Sequence, residues 1–138
     1  MPAYLIVANQ TLASPILGDA VAARIAAGDA RFHVVVPATP VSHGLTWDEQ
    51  EAVDAARARL DEVLDRLRAM GVKATGEIGS QDPVAAVKDA MREGEFAEVI
   101  LSTLPPGISR WLHQDVPTRL RHAVHTPVTV VIPPAEPG

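Results

Sequence analysis

Apolar residues follow two rhythms along this chain. Four runs carry apolar β-formers with little interruption: Tyr4-Leu-Ile-Val-Ala8, Arg31-Phe-His-Val-Val-Val36, Val99 to Leu101, and Thr126-Pro-Val-Thr-Val-Val-Ile132. Such runs predict strands buried on both faces, as in a parallel sheet. Val72-Lys-Ala-Thr-Gly-Glu-Ile78 alternates instead, which predicts a strand with one exposed face near a sheet edge. Between these runs the apolar spacing changes to three and four. Ile16, Leu17, Ala20, Val21, Arg24 and Ile25 follow a Ser14-Pro15 start and stop at Gly28. Val53, Ala56, Leu60, Val63, Leu64, Leu67 and Met70 form one face of a long helix ended by Gly71. A capping box, Thr46-Trp-Asp-Glu49, is expected to open it, with Thr46 as the cap. Asp82-Pro83 starts a third helix, with Val84, Val87, Lys88 and Met91 inward and Gly94 at its end. Asp115-Val116-Pro117 starts a fourth, with Asp115 as the expected N-cap.

Strand and helix alternate from end to end with short connections. The order implies an α/β fold: an open, five-stranded, mostly parallel sheet with helices on both faces. One domain is expected over residues 1–133, and a tail at 134–138 that frays.

Composition narrows the function. Apolar residues are 47% and charged residues 21%, as in a globular domain, but aromatics are only 4%, so the core must be aliphatic. The net charge of −5 argues against nucleic acid as a partner. With no cysteine, disulfides and thiolate metal sites are excluded. No apolar run approaches the length needed to cross a bilayer, and the expected location is the cytoplasm, with no membrane partner. One local departure stands out. Arg110, Arg119 and Arg121 face a single acid, Asp115, which suits either an anion or a solvated helix face.

Candidate chemistry gathers where the strands end. In an open parallel sheet, ligands bind beyond the carboxyl ends of the strands, and there the chain carries Asn9, Pro37 and Ser102. Asn9-Gln10-Thr11 suits either a ligand contact or an Asx turn. Residues 37–46 form a long loop on the same edge, whose single titratable group is His43. Ser102 and Thr103 end the fourth strand before Pro105, Pro106 and Gly107. A phosphate-cradling loop uses backbone N–H groups, and proline has none. No metal-ligand cluster, Walker loop or nucleophile elbow occurs. A dyad of Ser102 or Ser109 with His113 is outweighed by a capping or ligand-binding role for Ser102. No catalytic residue and no metal ligand are assigned, and an enzyme is not expected. Trp111, with Leu112, is expected to cover the seam between helix and sheet rather than a bound base.

Several segments together resemble the universal stress protein domain, of the adenine-nucleotide alpha hydrolase-like superfamily. They are Tyr4-Leu-Ile-Val-Ala-Asn9, the helix over 48–70, Thr75-Gly-Glu-Ile-Gly79 before Asp82-Pro83, Ala97-Glu-Val-Ile-Leu101, and Leu120-Arg-His-Ala123 followed by Thr126-Pro-Val-Thr-Val-Val131. The resemblance covers nearly the whole chain and implies a Rossmann-like sheet. It also implies an adenine nucleotide as the candidate ligand. The family's ribose-approaching acid falls on Asn9, and its adenine-side residue on Val36 or Pro37. The glycine motif departs from the family: its first glycine falls on Ser102 or Thr103, its second on Pro105 or Pro106, and its late Gly-Ser near Gln114-Asp115. The implied nucleotide-binding positions are Ala8, Asn9, Gln10, Val36, Pro37, Ser102, Thr103, Gly107, Arg110 and Asp115. A carboxylate at the start of the last helix lies where a triphosphate would sit. Each like-charge pair at about 4 Å and an effective dielectric of about 20 costs about 4 kcal/mol. The expected function is a small-ligand or nucleotide-binding signalling module with weakened or absent ATP binding. The alternative is a dimeric interaction protein with a vestigial pocket. The resemblance also implies a homodimer through residues 128–132, which would remove an exposed sheet edge.

Overall fold

The computed structural model of the chain describes residues 2–8, 15–38, 41–43, 46–103 and 110–132; at 15, 16, 41–43, 46–49, 110 and 113 it describes the backbone alone. In chain order the elements are β1 (Ala3–Ala8), α1 (Pro15–Ala26), β2 (Arg31–Pro37), β3 (Val41–His43), β4 (Thr46–Asp48), α2 (Glu49–Ala69), β5 (Lys73–Gly79), α3 (Pro83–Glu93), β6 (Glu98–Ser102), α4 (Arg110–His113), α5 (Val116–Ala123) and β7 (Val128–Val131). The main sheet has the order β5-β2-β1-β6-β7, and every pairing in it is parallel. The alternating run from Val72 to Ile78 does form an edge strand, as its exposed face requires.

Two cores flank the sheet. Ile6, Phe32, Val34 and Ile100 point to one side, where Leu17 and Val21 of α1 and Ala56, Leu60, Val63, Leu64 and Leu67 of α2 cover them. Leu5, Val7, Val35, Val99 and Leu101 point to the other, against Ala86, Val87 and Ala90 of α3 and against Trp111, Val116 and Leu120. β1 and β6 are thus buried on both faces, which is why their sequences read as unbroken apolar runs. Tyr4 and Phe32 stack at 5.3 Å beside the first core.

Helix boundaries show where local signals prevail. Asp82 has extended backbone angles (φ −83°, ψ 116°), and its carboxylate accepts the N–H of Val84 at 3.0 Å, with Pro83 opening the helix. Gly71 leaves α2 at φ 85°, a conformation that suits glycine. The capping box at Thr46 does not form. Thr46 lies within β4, opposite His43 of β3, and α2 begins only at Glu49. Backbone pairing with the preceding segment holds Thr46 extended, too early to cap the helix. The stretch read as a plain loop over 37–46 therefore contains most of a small antiparallel hairpin.

Candidate functional site

The carboxyl ends of the strands meet on one rim. Ala8 stands opposite Ser102 in the β1–β6 register, and Ser102 stands opposite Val131 of β7. One strand further, Val36 and Pro37 end β2, with Pro37 opposite Gly79. From β1 the chain passes to α1 in one helix layer; from β6 it passes to Trp111 and α5 in the other. The connections diverge between β1 and β6, which makes that boundary the switch point where such sheets bind ligands.

Of the predicted positions, Ala8, Val36, Pro37, Ser102 and Thr103 lie on this rim. Asn9, Gln10 and Gly107 lie outside the described residues, as do Pro105 and Pro106, and of Arg110 only the backbone at the start of α4 is described. Ser102 and Thr103 are both fully buried. The Thr103 N–H donates to the Val131 carbonyl at 3.0 Å, which extends the β6–β7 ladder by one residue. No buried side-chain polar atom among the described residues lacks a hydrogen-bond partner. Both strand-tip side chains are therefore covered and have hydrogen-bond partners. Trp111 is also core, at 4% exposure, as its place beside Leu112 suggested.

Asp115 departs from expectation. It precedes α5, but in the left-handed region (φ 55°, ψ 41°), and its carboxylate makes no capping hydrogen bond. Two backbone contacts account for this. Its N–H donates to the Leu112 carbonyl at 3.2 Å, closing the turn of α4, and its carbonyl accepts the Arg119 N–H at 3.0 Å, opening α5. One residue thus ends one helix and begins the next. Asp is among the few residues that tolerate left-handed backbone. An N-cap needs extended angles, as at Asp82, to turn its side chain onto the helix. The carboxylate of Asp115 is left exposed at the α5 terminus rather than engaged by the helix N–H groups. Nearby, Arg119 approaches Asp82 at 3.5 Å, joining α5 to the start of α3 through two half-exposed side chains.

A bidentate ion pair lies at the opposite ends of the strands and was not identified from the sequence. Arg24 Nε and Nη2 donate to Glu98 Oε1 and Oε2 at 3.0 and 2.7 Å. Arg24 Nη1 donates to the Ala20 carbonyl at 2.9 Å, and the Thr129 hydroxyl donates to Glu98 Oε2. The network ties α1 to β6 and β7. Hydrogen bonding from Arg24 holds the Glu98 carboxyl below its ordinary range, with help from Thr129 and against the effect of burial. The same hydrogen bond raises the Arg24 pKa further. The available signal was a cation standing on the apolar spacing of the first helix.

Rim, switch point and two helix layers define a doubly wound parallel α/β domain. No family model and no curated protein matches the chain. Among solved structures, it is similar to the crystal structure of a protein from the universal stress protein family from Burkholderia pseudomallei, with a TM-score of 0.61, 21% identity and coverage of 96% of each chain. The chain therefore has the fold of that family's domain. Among the described residues, no three His, Asp or Glu side chains are grouped to hold a metal ion, and no helix is long and apolar enough to cross a membrane.

Proposed function

We propose that this protein is a universal stress protein-like binding and signalling module whose rim takes a small ligand and whose ATP affinity is weakened. The observation that carries this reading is Asp115: its carboxylate stands exposed where α5 begins, in the segment of chain that joins β6 to β7. Helix N-termini attract phosphate, and a fixed carboxylate there opposes it. The full burial of Ser102 and Thr103 supports the same reading, because neither side chain stands open at the rim. An adenosine-like ligand with few or no phosphates suits this rim better than a triphosphate. The reading assigns no catalytic residue and no reaction.

Mass spectrometry of co-purifying small molecules, followed by thermal shift with ATP, ADP, AMP and cyclic nucleotides, tests it. A ligand at about 100 times its Kd adds about 2.7 kcal/mol of stability. AMP or a cyclic nucleotide should stabilise the protein more than ATP does. Stabilisation greatest with ATP would overturn the reading.

A second reading, a homodimer joined through β7, has its own support. β7 is a sheet edge, Val128, Thr129 and Val130 are only partly buried, and Ile132 beyond them is 39% exposed. Sedimentation velocity over a concentration series should show a monomer–dimer equilibrium that Val130→Lys abolishes. A monomer at all concentrations would exclude it.

A further inference from the structure

A cleft of about 350 Å³ opens at the edge of the sheet opposite the rim, where β2 and β5 begin and α3 ends. It exists because the two faces of β5 are covered unequally. Ala74 is buried on the α2 side, whereas Lys73 and Thr75 on the other face are exposed. The connection from α3 to β6 closes the far wall. It is held by the Ala97 N–H donating to the Ala3 carbonyl at 2.7 Å, and it places Glu93, Glu95 and Phe96 along the cleft.

The lining separates charge. On the strand side stand Arg31 and Lys73, opposite each other in the β2–β5 register and on the same face. Like charges directly opposite across a strand pair are destabilising. Among the described residues neither side chain has an ion-pair partner. On the helix side stand two carboxylates, Glu93 and Glu95. Between them stand the rings of Phe96 and His33. Phe96 lies nearly parallel to the His33 ring, with centroids 6.1 Å apart, and the Thr75 hydroxyl holds His33 Nδ1 at 2.8 Å. The cleft thus has a cationic wall, an acidic wall and an aromatic side, and its lining charges cancel.

We propose that this cleft binds a small zwitterion with an apolar body, a free α-amino acid such as leucine or phenylalanine. Arg31 and Lys73 take the carboxylate through charge-assisted hydrogen bonds, which relieves their mutual repulsion. Glu93 and Glu95 take the ammonium group, and they discourage an anion that lacks one. Phe96 packs against the side chain. The volume lies at the lower end of the range for small-molecule sites, about 300–1,000 Å³. The site is independent of the rim, which lies at the other ends of the strands.

The test is an NMR titration of the full chain with leucine and phenylalanine, following the His33 and Phe96 resonances. Saturable shifts are expected at about 10 mM ligand, where a millimolar Kd gives near-full occupancy. N-acetyl-leucine and leucinamide, each lacking one charge, should bind about tenfold more weakly, as should leucine to Arg31→Gln or Lys73→Gln. The rim variant Asp115→Asn should bind leucine as the unchanged protein does. Both cationic side chains are exposed and oppose each other, so the single variants should stay folded and unfold at or slightly above the normal urea midpoint. The proposal is overturned by any of three results: no shift at His33 or Phe96, equal binding of the blocked forms, or undiminished binding in both folded single variants.

Discussion

The guanidinium of Arg24, near the end of α1, grips the carboxylate of Glu98, the first residue of β6, through two N–H groups. The pair bridges a helix and a strand 74 residues apart, and Thr129 of β7 completes it. Both side chains are about four-fifths buried, at 20% and 17% exposure, so solvent screens the pair less than a surface bridge. Arg24→Met leaves a largely buried carboxylate without its cation. It should cost about 1–3 kcal/mol in urea denaturation, with Glu98→Gln costing less because it keeps two hydrogen-bonding positions.

The same pair sets an acid limit. The folded-state pKa of Glu98 is depressed below the ordinary carboxylate value of about 4.3. Its contribution is complete above that unfolded value and disappears as pH falls through the folded-state pKa. Urea midpoints measured from neutral pH downward should show the gap between the unchanged protein and Glu98→Gln closing on the acid side. A gap that stays constant with pH would show that the charge of Glu98 contributes nothing.

Gly79 is required for steric reasons. A Cβ built there would lie 2.7 Å from Val35 Cγ1 and 2.8 Å from Ala86 Cβ, between the end of β5 and the first turns of α3. Gly79→Ala must displace α3 and should cost about 1–3 kcal/mol. Gly18, within α1, has nothing within 4 Å of the same position, so Gly18→Ala should stabilise by about 0.5–1 kcal/mol. Opposite signs for the two identical substitutions, read by chemical denaturation, are the check.

Asp115 tests both the backbone geometry and the proposed rim. Its left-handed conformation suits glycine better, and Asp115→Gly should stabilise the fold by up to about 1 kcal/mol. Asp115→Asn keeps the tolerance for that backbone and removes the charge. If the proposed rim reading holds, isothermal titration should show ATP affinity raised several-fold and adenosine affinity unchanged, because on that reading only the phosphates meet the carboxylate. Equal gains for both ligands would mean that the charge is not beside the phosphates.

How much of this was legible in the sequence follows from the range of each interaction. The unbroken runs at Leu5 and Val99 required strands buried on both faces, and the alternation from Lys73 required an edge. The cap at Asp82 needed only its neighbours Pro83 and Val84. These features depend on side-chain periodicity or on contacts a few residues apart, and both are written locally. Thr46 carried an equally good local signal and lost, because pairing with His43 held its backbone extended. Asp115 lost its capping role because the turn of α4, closed on Leu112, holds its backbone in the left-handed region. The Arg24–Glu98 grip and the charge-divided cleft below β2 and β5 were decided by the strand order. A residue's own neighbours specify its backbone preferences and which face it shows. Which distant groups meet that face depends on register and crossover, and those are settled only when the whole sheet has been assembled.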